Sequence, residues 1–112
     1  MKEIEFKDLK NYNDSNSVVL CGIIPDCEPA DVEEFFHKTG FTTESKKVTE
    51  LRHLSDNVKG DEGRSDILVI MSEEGSCNPF VRIQLSQGGP SIKWTSDFID
   101  NYKQDYISGN EI

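Results

Sequence analysis

The segment Ser17–Ile24 (SVVLCGII) constrains the fold more than any other part of the chain. It is a continuous apolar run rich in β-branched residues, and Pro25 stops it. A short apolar run of this composition is typical of a strand buried in the centre of a sheet. The remaining segments are therefore interpreted as neighbours of this strand.

Further segments show strand patterns. Asp66–Met71 is a second buried-type run, and Phe80–Leu85 alternates apolar and polar residues with period two. The turn-forming residues between them predict that these two strands form a hairpin. Val48–Leu54 predicts an amphipathic strand, with a helix as the alternative. Residues 1–16 end in an Asn-rich and Ser-rich cluster and predict a short strand or a flexible arm, followed by a loop.

Two segments predict helices. The first begins near Pro29, carries apolar residues at helical spacing and ends at Gly40. The second follows the break at 88–90, and Pro90, Thr95 and Ser96 are alternative starts for it. Its apolar stripe comprises Trp94, Phe98, Ile99, Tyr102 and Tyr106.

The order of these elements predicts the fold class. Strand, helix, three strands and a final helix indicate one α+β domain over residues 1–112. We expect a mainly antiparallel sheet of about four strands with both helices packed on one face. A chain of this length supplies one core and no material for a second.

The charge balance limits the classes of partner. The chain has 21 acidic and 12 basic residues, a formal net charge of -9. Proteins that bind a phosphate backbone concentrate Lys and Arg on one face, so we expect no direct nucleic-acid binding. A net negative charge instead favours a basic protein partner.

Hydropathy and cysteine usage indicate the compartment. No apolar run approaches the length of a membrane span, and residues 1–9 alternate charged and apolar positions rather than forming a signal-type apolar core. The three cysteines make an odd count without paired spacing, which suits a reducing compartment. We therefore expect a cytoplasmic protein without membrane association.

No residue pattern predicts an enzyme, a metal site or a cofactor. No local signature joins a cysteine to His37 or His53, the two imidazoles of the chain. Cys21 and Cys27 lack the close ligand spacing of a zinc site, and the acids near Asp61 lack the spacing of a calcium loop. Gly88-Gly89 matches neither common phosphate-binding glycine pattern and is interpreted as a turn.

Short motifs between Leu54 and Tyr102 resemble a group of small uncharacterised proteins of bacterial mobile genetic elements, such as plasmids, conjugative transposons and phages. The matching residues are Leu54, Asp56 and Asn57, then Gly63-Arg64-Ser65-Asp66 with Ile67 and Leu68, and finally Trp94, Phe98 and Ile99. The resemblance implies a mobile-element context and no known activity. Arg64 and Asp66 also flank a strand start, where a forked Arg–carboxylate pair would fix the preceding loop.

Three functions remain open. The first is a small acidic accessory protein that binds a basic protein partner, in one form as a DNA mimic that inhibits a host defence nuclease. Its candidate surface comprises acids of both predicted helices: Asp31, Glu33, Glu34, Asp97, Asp100 and Asp105. The second is a small-ligand or enzymatic module with a site around Cys27, His37, His53 and Arg64. The third is a self-associating domain that uses Phe80–Leu85 as an exposed edge strand.

Overall fold

The computed structural model describes residues 2–23, 26–54, 65–78, 80–81 and 91–107, with the backbone alone over 104–107. In chain order its elements are β1 (Lys2–Ile4), a 3-10 helix (Phe6–Asn11), β2 (Ser17–Ile23), α1 (Pro29–Thr39), β3 (Val48–Leu54), β4 (Ser65–Met71), β5 (Ser91–Trp94) and α2 (Thr95–Ile107). The described strands form one sheet in the order β1-β3-β4-β2-β5. The pairing of β1 with β3 is parallel, and the other three pairings are antiparallel.

The predicted α+β class is confirmed, but the sheet is larger than expected and mixed. It has five described strands rather than about four. Two of these strands were not among the predicted four: β1, which the sequence left open as a short strand or an arm, and β5, which lies where the break or the start of the final helix was expected. Strand β1 lies at the sheet edge, where it pairs in parallel with β3 alone.

The two helices lie on opposite faces of the sheet, so the prediction that both pack on one face is wrong. Val18 and Leu20 of β2 belong to the core cluster that contains Val32 and Phe36 of α1. Val19, which points the other way, belongs to the cluster that contains Phe98 of α2. The physical reason is that β2 and β4 are apolar at successive positions, and a strand without a polar face needs cover on both sides.

The predicted hairpin of β4 with Phe80–Leu85 is also wrong. Strand β4 has β3 on one edge and β2 on the other, so no edge remains for a further strand. Phe80 lies in a turn and is 89% exposed, while 82–85 fall outside the described residues. The other neighbour of β2 is β5 instead.

Trp94 was predicted on the final helix but ends β5, one residue before α2 begins. Its ring packs edge-on against Phe41 with the centroids 5.8 Å apart, on the same side of the sheet as α1. The stripe of α2 therefore begins at Phe98, which stacks on Tyr102 at 4.7 Å on the opposite side. Phe6 of the 3-10 helix completes this aromatic group, 6.1 Å from Phe98.

The ends of α1 follow the local sequence as predicted. Pro29 occupies the first turn, and the Asp31 carboxylate accepts a hydrogen bond from the Glu28 N–H at 3.0 Å. Gly40 ends the helix with φ of 80°, a left-handed conformation that favours glycine. The segment from Cys27 to Gly40 is thereby fixed against β2 and β3.

Candidate interaction surface

The amino-terminal half of α1 and the residues before it carry a dense group of carboxylates. Residues 26–34 contain five acidic side chains and no basic one: Asp26, Glu28, Asp31, Glu33 and Glu34. All are exposed except Glu33, which is half-buried. Acids at this end of a helix interact favourably with its dipole, so the helix tolerates their mutual repulsion. We call this group the α1 acidic surface.

Two of these acids already have partners in the fold. Asp31 caps the helix through the Glu28 N–H. Glu33 accepts a hydrogen bond from the Val48 N–H at 2.9 Å and lies 3.6 Å from the Lys47 ammonium, which joins α1 to the start of β3. Among the described residues, no side chain pairs with the carboxylates of Asp26 or Glu34.

A small apolar depression opens between the start of α1 and β2. It has a volume of about 130 Å³, and we call it the socket. Its floor is buried, its walls are half-buried and its rim is exposed. The floor consists of Leu20 and Val32, the walls of Ile23, Cys27 and Phe35, and the rim includes Asp31.

The six acids predicted as a partner surface do not share one face. Asp31, Glu33 and Glu34 lie on α1, whereas Asp97 and Asp100 are exposed on α2, across the sheet. The side chain of Asp105 lies outside the described part of the chain. The structure thus places the first three acids on one helix, across the sheet from Asp97 and Asp100.

The residues of the alternative ligand site are not gathered at one place. Cys27 lies before α1 and His37 near its end, so about 12 Å of helix separates them. His37 Nε2 is 2.7 Å from the Lys46 carbonyl oxygen, which links the end of α1 to the following loop. His53 Nε2 lies 2.7 Å from Ser65 Oγ, in a hydrogen bond between β3 and β4. Arg64 lies outside the described residues.

The predicted forked pair between Arg64 and Asp66 also lies outside the described residues, because Arg64 does. The Asp66 carboxylate does accept a hydrogen bond from the Gly22 N–H at 3.1 Å. Gly22 has a φ of 71° and lies at a register shift of β2 against β4. Asp66 therefore stabilises the irregular end of β2.

Burial makes all three thiols weaker acids than a free cysteine. Desolvation, and secondarily the charge of Asp66, raise the pKa of Cys21 to about 12. Desolvation also raises the pKa of Cys27 and Cys77. Because the thiolate is the nucleophile, each thiol stays protonated and weakly reactive at neutral pH.

A polar cleft lies on the other side of the sheet, between β1, the 3-10 helix and β3. Its volume is about 550 Å³. Arg52 lies in it beside the Tyr12 ring, with Nη2 at 3.3 Å from the Glu50 carboxylate. Its Nε is buried and has no hydrogen-bond partner among the described residues. Acidic and basic side chains share the lining: Glu3, Glu5, Lys7 and Asp8.

No protein-family model matches the chain, and neither the curated proteins nor the solved structures include a similar one. Over the described ranges, no helix is both long and apolar enough to cross a membrane. The same residues contain no group of three or more His, Cys, Asp or Glu side chains arranged to hold a metal ion.

Sequence reasoning missed Asp26 and the socket as parts of a candidate surface. The density of acids in 26–34 was visible in the sequence and could have identified Asp26. The socket was not visible there, because Leu20 of β2 and Phe35 of α1 meet only in the folded chain.

Proposed function

We propose that this protein is a small acidic interaction module that binds a basic protein partner through the α1 acidic surface. The single observation that carries the proposal is the cluster of carboxylates at 26–34, in which Asp26 and Glu34 project without partners from the described part of the molecule. A local excess of negative charge attracts basic surfaces and accelerates their association.

The α2 acids form a less concentrated group, which favours α1 as the contact region. Asp97 and Asp100 are exposed and so is Lys103 on the same helix, whereas residues 26–34 hold five acids and the exposed Lys38 follows only in the last turn of α1. A basic group nearby reduces the field of the Asp97 and Asp100 carboxylates.

The test is a tagged pull-down from a bacterial lysate at low and high salt, with matched variants. The double variant Asp26→Asn, Glu34→Gln removes two charges from α1, and Asp97→Asn, Asp100→Asn removes two from α2. We expect a basic protein that the wild type and the α2 variant retain at low salt, and that the α1 variant loses. High salt releases it, because the Debye length shortens from about 8 Å at physiological ionic strength to about 3 Å at 1 M salt. Equal loss with both variants would contradict the assignment to α1.

The DNA-mimic form of this function requires one continuous acidic face. The separation of the α1 and α2 acids gives it no support, and the mobile-element context stays a prediction from sequence resemblance. The same pull-down tests the DNA-mimic form. A nuclease from the lysate, retained by wild type and released by free DNA, is the result expected of a mimic.

A second candidate function is binding of a small zwitterion, such as an amino acid, in the polar cleft. The Arg52 guanidinium favours it, because this half-buried cation lines the cleft and a ligand carboxylate would pair with its accessible part. The carboxylates of Glu3, Glu5 and Asp8 would then face the ligand ammonium group. A panel of L-amino acids should contain one that raises the Tm of the wild type and leaves Arg52→Lys unchanged. If none raises it, this candidate fails.

A further inference from the structure

We propose that the socket receives one apolar side chain of the basic partner, so that the α1 surface recognises a basic segment with a single apolar anchor. This inference rests on the proposed function and specifies its partner class. The charge of the residues around the socket selects a basic segment as the carrier of this side chain.

The size and lining of the socket fit one side chain. Dry apolar cavities of about 150 Å³ accept a molecule of the size of benzene, so a volume of about 130 Å³ suits a Leu, Ile or Met side chain. The floor residues Leu20 and Val32 are 1% and 2% exposed, and the half-buried Phe35 forms a wall. Such a depression gains nothing from a charged or strongly polar group.

The rim selects the charge of whatever carries this side chain. Asp31 lines the socket itself, and Asp26, Glu28 and Glu34 lie within one helical turn or a few residues of it. An acidic or neutral segment would bring no compensating charge to these carboxylates, whereas Lys or Arg on either side of the anchor would meet them. A fully buried anchor surrounded by charged contacts is the usual organisation of a small recognition site.

The socket also explains why the surface would discriminate among basic partners. Charge alone attracts any basic protein and is weakened by salt, whereas apolar burial depends on shape and persists at high salt. A partner with both features should bind more tightly and more selectively than one with charge alone.

The experiment uses three synthetic nine-residue peptides as probes, measured by calorimetry or fluorescence anisotropy. The first contains Lys and Arg with one central Leu, the second replaces Leu by Gly, and the third keeps Leu but replaces every basic residue by Gln. We expect the first peptide to bind at least about tenfold more tightly than the second, because it buries one large apolar side chain that the second lacks. The third should bind more weakly than the first by a similar factor.

The outcomes separate this inference from the proposed function. If the first two peptides bind equally, the socket takes no anchor and the inference is overturned while the proposed function stands. If neither basic peptide binds at low salt, the proposed function loses its support as well. If the Gln peptide binds as tightly as the first, the socket is an apolar site without charge selection, which also overturns the inference.

A protein variant supplies an independent check. Cys27→Met extends a wall residue into the socket, and Cys77→Met makes the same change at a half-buried thiol that does not line it. Cys27→Met should abolish the advantage of the Leu peptide over the Gly peptide, and Cys77→Met should preserve it. The comparison of peptides on wild-type protein remains decisive if either variant folds poorly.

Discussion

Helices α1 and α2 cover opposite faces of one sheet, but the contacts that fix their amino-terminal ends differ in range. The start of α1 is capped by Asp31, three residues from its partner Glu28. The start of α2 is capped by Asp14, whose carboxylate accepts hydrogen bonds from the N–H and the hydroxyl of Ser96, 82 residues away. A second long-range contact joins the Thr95 and Ser17 hydroxyls at 2.8 Å.

Because of this difference in range, the two sides of the sheet depend on the rest of the chain to different extents. The start of α1 is set locally, and the α1 side leaves at its surface an open apolar socket and the carboxylates of Asp26 and Glu34, which have no side-chain partner among the described residues. The α2 side packs around the fully buried Phe98, holds the polar cleft next to β1, and depends on the chain before β2 for its cap. The exposed acids Asp26 and Glu34 can therefore be substituted with little cost to the fold.

The largest effects on stability should come from two buried aromatic residues, one at the centre of each face of the sheet. Phe36 and Phe98 are both 0% exposed. Phe36→Ala and Phe98→Ala should each lower the free energy of unfolding by about 3–5 kcal/mol, because both leave a large cavity. Urea unfolding followed by circular dichroism measures this, and the exposed Phe80→Ala should change it by less than about 0.5 kcal/mol.

The two faces share β2 and β4, so both variants should unfold in one transition. A two-step curve for either variant would mean that one face unfolds alone. That result would break the comparison between two sides of a single core.

Lys46 connects the loops at one end of the sheet and should show the next largest effect. It is 3% exposed, and its ammonium donates to the carbonyl oxygens of Ser15 and Ser72 at 3.3 and 3.0 Å. Lys46→Met removes the donor from two acceptors, and we expect a loss of about 2 kcal/mol. The exposed neighbour Lys47 is the matched control, since Lys47→Met breaks only a surface ion pair and should cost less than about 1 kcal/mol. Equal losses of stability in the Lys46→Met and Lys47→Met variants would show that the Ser15 and Ser72 carbonyls find other donors.

The thiol of Cys21 tests how well the α2 side excludes water at β2. The pKa of Cys21, on the α2 side, is raised by burial to about 12 in the folded state, against 9.0 for an exposed thiol. The folded chain therefore keeps this proton up to a higher pH than the unfolded chain. The contribution of the protonated thiol to the free energy of unfolding is intact below about pH 9 and is lost as pH rises toward 12. Between those values stability should fall by up to about 1.4 kcal/mol per pH unit.

The measurement is urea unfolding of wild type and Cys21→Ala between pH 8 and pH 10.5. Other groups titrate in both proteins, so the difference between their slopes isolates Cys21. The wild type should lose stability faster as pH rises. Parallel slopes would indicate that water reaches Cys21 and that the α2 side is open at β2 as well as at the polar cleft.

The sequence predicted the parts of the fold that local patterns determine. Ser17–Ile23, Pro29–Thr39 and Val48–Leu54 have the predicted type and nearly the predicted bounds, because an apolar run, a proline start or a glycine stop acts within a few residues. The same run in β2 contained the information that both faces are covered, since its successive positions Val18, Val19 and Leu20 are all apolar.

Long-range choices could not be read from local patterns. Trp94 fits a helical stripe with Phe98 and also a strand beside Val18, and only the free edge of β2 decides for the strand. The hairpin prediction failed for a similar reason, because both edges of β4 were already occupied. Of the candidate surface, the α1 acids were predicted and the socket was not, as it needs the packing of α1 on β2.

The smallest effects, and the sharpest comparison of the two sides, come from the caps themselves. Asp31→Ala removes one local hydrogen bond at the exposed start of α1, and we expect a loss of about 0.5 kcal/mol. Asp14→Ala removes both the cap of α2 and a link between the ends of the chain, so about 1–2 kcal/mol is expected. Asp97→Ala, an exposed acid in the first turn of α2, is the control and should change stability by less than about 0.5 kcal/mol. If Asp14→Ala costs no more than Asp31→Ala, the position of α2 is determined by its continuity with β5 and by the Ser17–Thr95 contact, and the distant cap adds only a surface hydrogen bond.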